Sequence, residues 1–304
     1  MTASVVIDCD PGIDDAIALM VACSSLNVAG VTTVAGNGPI GQTTTNAAKV
    51  LTLCGCEDVP LASGMGAPLV RELTTAEEVH GEDGIGGVSF PAASVDPLDD
   101  HATELIDKIA TATEAVTVVS IGPPTNVAAA LRRHPSLCER LDRILVMAGS
   151  TQGGNVTPVA EFNAFVDPEA LQIVVDADVP TTMVGLNVTW DARIDHHTIE
   201  ALDAMEMPIP ATAAELIRAL GPFHATRDGW TAVPLHDALA VTVLLDESVI
   251  ATEPMEVAVE THGQYTVGTT VCRPDADAPN VDVATEVDRR LFASLIVEAI
   301  ESYA

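Results

Sequence analysis

The chain has 304 residues and a formal net charge of −31, from 44 acidic and 13 basic side chains. Such a charge argues against nucleic acid and anionic membranes as partners, because both would repel it. No run of about 18 apolar residues predicts a membrane span, and the start of the chain resembles no signal peptide. We expect a cytoplasmic protein. We interpret the acidity as the hydrated surface of a protein from a salt-rich cytoplasm, with an ordinary acidic protein as the alternative.

The six cysteines follow neither a zinc-binding nor a disulfide spacing. The closest pair, Cys54 and Cys56, follows a helical pattern and is best interpreted as packed thiols. Unpaired thiols fit a reducing compartment.

Short apolar runs alternate with helical patterns along the first two-thirds of the chain. The predicted strands are Val5–Ile7, Val28–Val34, Ala115–Ile121, Ile144–Ala148 and Thr181–Leu186. The predicted helices are Ile13–Cys23, Thr43–Leu53, His101–Thr111, Thr125–Arg133 and Pro168–Asp176. This alternation predicts one α/β domain over residues 1–304. Its central sheet would be mostly parallel and doubly wound, with a site at the carboxyl ends of the strands.

The last third of the chain changes character. It predicts strands with hairpin character at Val257–Glu260, Gln264–Val271 and Val281–Val287, followed by a helix over Asp288–Ser302. Three segments are candidates for lining a site: the glycine-rich loops Gly64–Gly87 and Gly149–Asn155, and the segment Met205–Val233, which we interpret as a lid.

The first strand ends in a cluster of four carboxylates, Asp8, Asp10, Asp14 and Asp15, where Pro11-Gly12 breaks the strand into a helix. Clustered carboxylates repel one another unless a cation lies between them. Oxygen ligands suit a hard ion such as Ca²⁺ or Mg²⁺. A solvated acidic loop is the alternative. The position at the end of a strand favours a metal site.

Polar residues also follow the next two strands. Asn37 lies in a Gly-Asn-Gly turn and is equally well explained as a turn residue or as a ligand. Thr125 and Asn126 follow two prolines and are predicted to cap the next helix. The backbone carbonyl before these prolines would remain free to coordinate a cation.

Later in the chain, Glu161 and Asn163 would face the same side of an extended segment. Together with Asn155 they suit a polyhydroxylated ligand such as a sugar, although a polar surface loop explains the spacing equally well. Asp237 follows His236 at the start of a helix. It would serve there as the N-cap or as a further carboxylate ligand beside a titratable imidazole.

Taken together, these segments resemble the nucleoside hydrolase family of the inosine-uridine-preferring type. The most specific motif is the aspartate cluster, and the order of the others spans nearly the whole chain. In chain order the matching segments are residues 8–15, 32–37, 80–84, 122–126, 159–163, 166–170, 236–237 and 266–268.

The resemblance implies Ca²⁺-dependent hydrolysis of ribonucleosides to free base and ribose, in nucleoside salvage, by a homodimer or homotetramer. The implied metal ligands are Asp10, Asp15, Asp237 and the Ile121 carbonyl, and Asp10 would also be the base that activates water. The implied substrate contacts are Asp14, Asn155, Glu161 and Asn163 on the ribose, Asn37 on either Asp10 or the sugar, and His80, His224 and Trp230 near the base. His236 would protonate or hydrogen-bond the leaving base when that base is a purine.

Two features leave alternatives open. Only 3% of the residues are aromatic, so the usual cover over the base is sparse and the choice between purine and pyrimidine is not settled. A nucleoside- or cation-binding protein without turnover is the first rival function. A metal-dependent phosphatase with an Asp-x-Asp motif is the second, and it is disfavoured because Gly12 occupies the position where that motif has Thr.

Overall fold

A computed structural model describes residues 3–228 and 232–303, except for the side chains of residues 224 and 226–228. The strands in these ranges are β1 (Ser4–Cys9), β2 (Asn27–Thr33), β3 (Leu61–Ser63), β4 (Val116–Ser120), β5 (Leu141–Val146), β6 (Thr181–Met183), β7 (Arg193–Asp195), β8 (Ala232–Pro234), β9 (Ile250–Val259), β10 (Thr270–Pro274) and β11 (Val281–Val287).

The helices of the first half are α1 (Ile13–Ser25), α2 (Ile40–Leu53), α3 (Glu77–His80), α4 (Ala102–Ala112), α5 (Thr125–Arg133) and α6 (Leu137–Arg140). Those of the second half are α7 (Phe162–Val166), α8 (Pro168–Val175), α9 (Leu186–Thr189), α10 (His196–Asp203), α11 (Pro208–Asp228), α12 (His236–Thr242) and α13 (Arg289–Glu301). No helix within the described ranges combines the length and the apolar character that a bilayer crossing requires.

The central sheet has the strand order β10-β9-β11-β6-β5-β4-β1-β2-β3. The strands from β3 to β11 in this order run parallel, whereas β9 is antiparallel to both β11 and β10. The prediction of a mostly parallel, doubly wound α/β sheet is confirmed. A separate antiparallel pair is formed by β7 and β8.

Both faces of the sheet are buried, which explains the unbroken apolar runs of β1 and β4. Successive residues of β1 enter opposite cores: Ile7 packs in the cluster that contains α1, α11 and α13, and Val6 packs in the cluster that contains α4, α5 and α8. The fold is therefore a three-layer α/β domain.

The position of the site follows from the order of the strands. The chain builds β2 and β3 on one side of β1 and then returns to build β4, β5 and β6 on the other side. The loops that follow β1 and β4 therefore diverge and leave a crevice at their carboxyl ends, as in other open α/β sheets.

One predicted strand is wrong. Gln264–Val271 contains a turn, and β10 begins only at Thr270. Gly268 has a φ of +81°, and a Cβ there would lie 2.8 Å from the Phe165 Cα. Close packing of this turn against α7 therefore overrides the local β propensity of the segment. The preceding strand is longer than predicted and starts at Ile250, and most of the segment interpreted as a lid forms α11.

Candidate active site

A pocket opens beyond β1 and β4, at the crevice that the strand order predicts. It contains most of the residues expected from the sequence: Asp10, Asp14, Asn37, His80, Ile121, Asn155, Glu161, Asn163, His236 and Asp237. Asp15 lies directly behind this lining, hydrogen-bonded to its members. Trp230 lies outside the described residues, and so does the side chain of His224.

Asp10 follows β1 and is held in a narrow space. Its Oδ2 accepts the Asn37 backbone N–H at 2.6 Å, and the Asn37 side-chain amide donates to the Asp10 carbonyl at 3.2 Å. The sequence left two roles open for Asn37. In the structure it positions Asp10, and its amide also donates to Asp15 Oδ2 at 3.0 Å.

Two glycines leave room for the Asp10 carboxylate. A Cβ at Gly36 would lie 2.1 Å from Asp10 Oδ2, and a Cβ at Gly122 would lie 2.6 Å from Oδ1. We therefore expect Gly36→Ala to displace Asp10 and to lower the kcat of the hydrolysis that the family resemblance implies about 100-fold, because small misplacements of reacting groups are costly. The measurement is steady-state kinetics together with thermal unfolding.

Gly41→Ala is the matched control, because a Cβ at Gly41 meets no atom within 4 Å and the residue lies in α2. Its activity should be unchanged and its stability slightly raised, since Ala is favoured over Gly in a helix. Equal kinetics for the two variants would refute the steric role of Gly36.

Asp15 stabilises the turn between β1 and α1. Its carboxylate accepts the backbone N–H groups of Asp10 at 3.1 Å and of Gly12 at 3.0 Å. It lies in the first turn of α1, where the helix dipole favours negative charge. Burial nevertheless raises the pKa of Asp15 to about 6, and the charge of Asp14 adds to the rise.

Carboxylate oxygens of Asp14, Asp15 and Asp237 lie within 4.8 Å of one another. Burial and the neighbouring negative charges raise the pKa values of Asp10 and Asp237 well above the ordinary range. None of the described residues that line the pocket is Lys or Arg. Full ionisation of the cluster would thus leave a large uncompensated charge, which a bound cation would neutralise.

Asp237 does not cap its helix. The N-cap of α12 is Leu235, and Asp237 lies inside the first turn, so that its carboxylate reaches the acidic cluster. The N-cap alternative for Asp237 is therefore wrong.

The side chains of Thr125 and Asn126 also do not cap α5, whose N-cap is Pro124. Asn126 instead donates to Asp8 Oδ1 and to the Thr33 carbonyl, both at 2.8 Å. The Thr125 hydroxyl donates to Asp167. Buried carboxylates need donors, and this need outweighs the local capping preference.

Glu161 and Asn163 lie on the wall of the pocket. Glu161 is the N-cap of α7, so this segment is not extended as predicted. Its carboxylate accepts the backbone N–H groups of Gly149, Asn163 and Ala164 at 2.8–3.0 Å. Burial raises the pKa of Glu161 to about 7 even though these donors oppose the rise.

The Asn163 amide has its N–H groups engaged. It donates to the Ile121 carbonyl at 2.8 Å and to the Met147 carbonyl at 2.9 Å. The Ile121 carbonyl therefore already accepts one hydrogen bond, and its second lone pair is available for another partner. Asn163 can offer its side-chain oxygen to a hydroxyl group.

Two histidines lie in the pocket. His80 Nδ1 accepts the Ile13 backbone N–H at 3.1 Å, which places the proton of a neutral ring on Nε2. His236 Nδ1 lies 2.7 Å from the Thr189 hydroxyl. Its ring packs edge-on against Trp190, with centroids 4.8 Å apart.

Sequence reasoning missed Thr189 and Trp190, which orient His236. Trp190 is one of only two tryptophans in the chain. In a chain with so few aromatic residues, this rarity was the available signal that Trp190 has a special position. Phe223 of α11 and Val79 of α3 add apolar surface to the same pocket.

The family model described as inosine-uridine preferring nucleoside hydrolase matches residues 5–294. The chain is 43% identical, over 100% of both sequences, to the pyrimidine-specific ribonucleoside hydrolase RihA of Photobacterium profundum. Two solved structures are similar in fold. A plant nucleoside hydrolase has a TM-score of 0.93 at 30% identity and 99% coverage of both chains. A purine-preferring ribonucleoside hydrolase from Gardnerella vaginalis has a TM-score of 0.91 at 27% identity and 98% coverage of both.

Proposed function

The chain belongs to the inosine-uridine preferring nucleoside hydrolases and hydrolyses the N-glycosidic bond of ribonucleosides, and from this premise we propose that pyrimidine ribonucleosides are its preferred substrates. The full-length similarity to a pyrimidine-specific relative at 43% identity supports this choice. The similarity to a purine-preferring enzyme is weaker, at 27% identity.

We propose Ca²⁺ as the metal, with Asp10, Asp15, Asp237 and the Ile121 carbonyl as its ligands. The donor set fits, because it consists of oxygen atoms and contains several carboxylates that nothing positive balances among the described pocket residues. The position of Asp14 in the same cluster makes it an additional candidate. When bound, such an ion orients a water molecule and lowers its pKa.

We propose that the side chains divide the remaining chemistry between them. Asp10 accepts the proton of the attacking water, and the Asn37 N–H holds its carboxylate in place. Breaking the glycosidic bond develops positive charge on the ribose, and the oriented carboxylates of Asp14 and Glu161 stabilise that charge. Asn155 and the Asn163 side-chain oxygen contact the ribose hydroxyls.

At the other end of the pocket, His236 donates a proton to the departing base. Thr189 and Trp190 fix the direction of its ring. His80 contacts the base through Nε2. We also propose that His224 and Trp230 cover the base. Both belong to the part of the sequence around the end of α11.

The test is a panel of uridine, cytidine, inosine, adenosine and guanosine assayed for ribose release. We expect kcat/KM for uridine or cytidine to exceed the purine values by at least about tenfold, which corresponds to about 1.4 kcal/mol in the transition state. A preference for inosine or guanosine would refute the proposed pyrimidine preference but not the hydrolase activity. Tight binding of nucleosides without ribose release would instead indicate the binding protein that the sequence left as a rival.

We further propose that the protein is adapted to high salt, on the basis of its net charge of −31. Dissolved ions screen the repulsion between surface carboxylates. We therefore expect both the melting temperature and the activity to rise between about 0.1 M and about 2 M KCl, where screening is nearly complete. A melting temperature that is highest in dilute buffer would contradict this adaptation.

A cytoplasmic location is supported by the six cysteines, which are unpaired thiols in the structure. Homodimeric or homotetrameric assembly stays a prediction from the resemblance, and light scattering on the purified protein would test it.

A further inference from the structure

The segment 268–270, near the end of the chain, contacts the surroundings of Glu161 from two directions. It comprises Gly268 in the turn before β10, Thr269, and Thr270 at the start of that strand. None of the three is among the described residues that line the pocket. The segment therefore acts on the site, if at all, through other residues.

The first contact is between Gly268 and the backbone around Glu161. A Cβ at Gly268 would lie 3.1 Å from the Ala160 Cβ and 2.8 Å from the Phe165 Cα. Ala160 directly precedes Glu161, and Phe165 lies in α7, whose N-cap is Glu161. The turn thus packs closely against the backbone that carries the Glu161 carboxylate.

The second contact is made by the buried hydroxyl of Thr270. It accepts the Ser150 backbone N–H at 2.8 Å and donates to the Ser150 carbonyl at 2.7 Å. One hydroxyl thus serves as both donor and acceptor for the backbone of a single residue. Because Ser150 is buried as well, its backbone groups would lose these partners at a high cost without the hydroxyl.

Ser150 follows Gly149, and Gly149 is the residue that reaches Glu161. The Gly149 N–H donates to Glu161 Oε2 at 2.8 Å. Gly149 has a φ of +68°, and a Cβ there would lie 2.6 Å from the Thr270 Cγ2. Thr270 therefore contacts the turn that directs this N–H, by its methyl group as well as by its hydroxyl.

The Gly149 N–H differs from the other donors to the Glu161 carboxylate. The N–H groups of Asn163 and Ala164 belong to α7, the helix that Glu161 itself caps. Gly149 belongs to the loop after β5. Its hydrogen bond therefore fixes the carboxylate relative to the central sheet, which the two helical donors cannot do.

We propose that Thr270 is a positioning residue for Glu161. Its hydroxyl holds the Ser150 backbone and thereby keeps the Gly149 N–H directed at the Glu161 carboxylate. The inference rests on the role proposed above for Glu161, the stabilisation of positive charge on the ribose. It assigns a function in the reaction to a residue of β10, at the edge of the sheet.

The test is Thr270→Val, which keeps the branched shape of the side chain and removes the hydroxyl. We expect kcat to fall at least about tenfold, because a small displacement of a group that acts in the transition state is costly. KM should change less than about threefold, since the lost interaction belongs mainly to the transition state. The measurement is steady-state kinetics with calcium on the best nucleoside, below the melting temperature of every variant.

The chain offers a matched control at the neighbouring position. The Thr269 hydroxyl oxygen is buried and has no hydrogen-bond partner among the described residues. Thr269→Val makes the same chemical change and should leave both kinetic constants unchanged. Thr270→Ser keeps the hydroxyl and should keep kcat within about twofold of the wild type, because its hydroxyl can make both hydrogen bonds to Ser150.

Glu161→Gln separates this inference from the role of Glu161 itself. Wild-type kinetics in Glu161→Gln would refute the proposed role of Glu161. An impaired Glu161→Gln beside equal kinetics in Thr270→Val and Thr269→Val would overturn the positioning role alone. An equal loss in Thr270→Ser and Thr270→Val would also overturn it, because the hydroxyl would then not be the group that matters.

Amide hydrogen exchange of the calcium-loaded wild type needs no variant that folds. The Ser150 N–H should exchange at least about 100-fold more slowly than that of the exposed Gly153, because the Thr270 hydroxyl protects it. Similar exchange rates at the two positions would show that Thr270 does not hold Ser150, and would overturn the proposal.

Discussion

Asp10→Asn is expected to lower the hydrolytic kcat by about 10²–10⁴-fold while the protein remains folded, because the variant removes the general base but keeps the shape of the side chain. The amide oxygen can still accept the Asn37 N–H that now binds Asp10 Oδ2 at 2.6 Å. Replacing one of several buried, mutually repelling carboxylates should also leave the metal-free protein at least as stable as the wild type.

The measurements are steady-state kinetics on the best substrate of the nucleoside panel, thermal unfolding without metal, and the calcium-induced shift of the melting temperature. Asp282→Asn is the matched control, since it makes the same chemical change at an exposed position of β11. Undiminished turnover in Asp10→Asn would refute the base assignment. Loss of turnover together with loss of the entire calcium response would assign Asp10 to the metal alone.

The sequence predicted the fold well where local pattern and burial agree. The runs that became β1 and β4 are apolar throughout because both faces of the sheet are covered, and such runs are hard to mistake. It predicted poorly where long-range packing decides. The turn around Gly268 is fixed by Phe165, about a hundred residues away in the chain, and no local signal contains that contact.

The same distinction holds for the site. The order of the motifs predicted that the acidic and amide residues share one site, because they follow strands whose carboxyl ends meet. The structure places these residues around one pocket. Hydrogen-bond partners could not be predicted in this way. Asn126 has the spacing of a helix cap but donates a hydrogen bond to the buried Asp8. The Asn163 side-chain N–H groups donate to the Ile121 and Met147 carbonyls, and this leaves the side-chain oxygen to accept a hydrogen bond from a ligand. Such pairing is decided by which buried groups lack other partners.

Removal of the metal is expected to abolish hydrolysis and to lower the melting temperature, and calcium should restore both. The stabilisation by a bound ion depends on its concentration, and at a hundred times Kd it amounts to about 2.7 kcal/mol. For a chain of this size that corresponds to a rise of about 5 °C or more. Calcium should restore activity better than magnesium, because a site rich in carboxylates and carbonyls suits the larger and more flexible coordination of Ca²⁺.

Asp237→Asn separates the metal effect from general damage, since its two consequences have opposite signs. The variant removes a buried charge that faces Asp14 and Asp15, so the metal-free protein should melt at the same temperature or higher. The calcium-induced rise should shrink to a small fraction of the wild-type value, because one ligand is gone. Identical calcium shifts in Asp237→Asn and wild type would contradict a cation bound by this cluster.

The pH dependence gives a further check on the same experiment. Burial raises the folded-state pKa of Asp15 to about 6 from the ordinary value of 3.8. A group whose pKa is raised by folding stabilises the protein below its unfolded pKa, and this contribution is lost as the pH rises through the folded value. The metal-free protein should therefore lose stability between about pH 4 and pH 7. Bound calcium favours the ionised carboxylates, so the difference in melting temperature between loaded and metal-free protein should widen over the same range. A constant difference would show that the ion does not interact with the buried carboxylates.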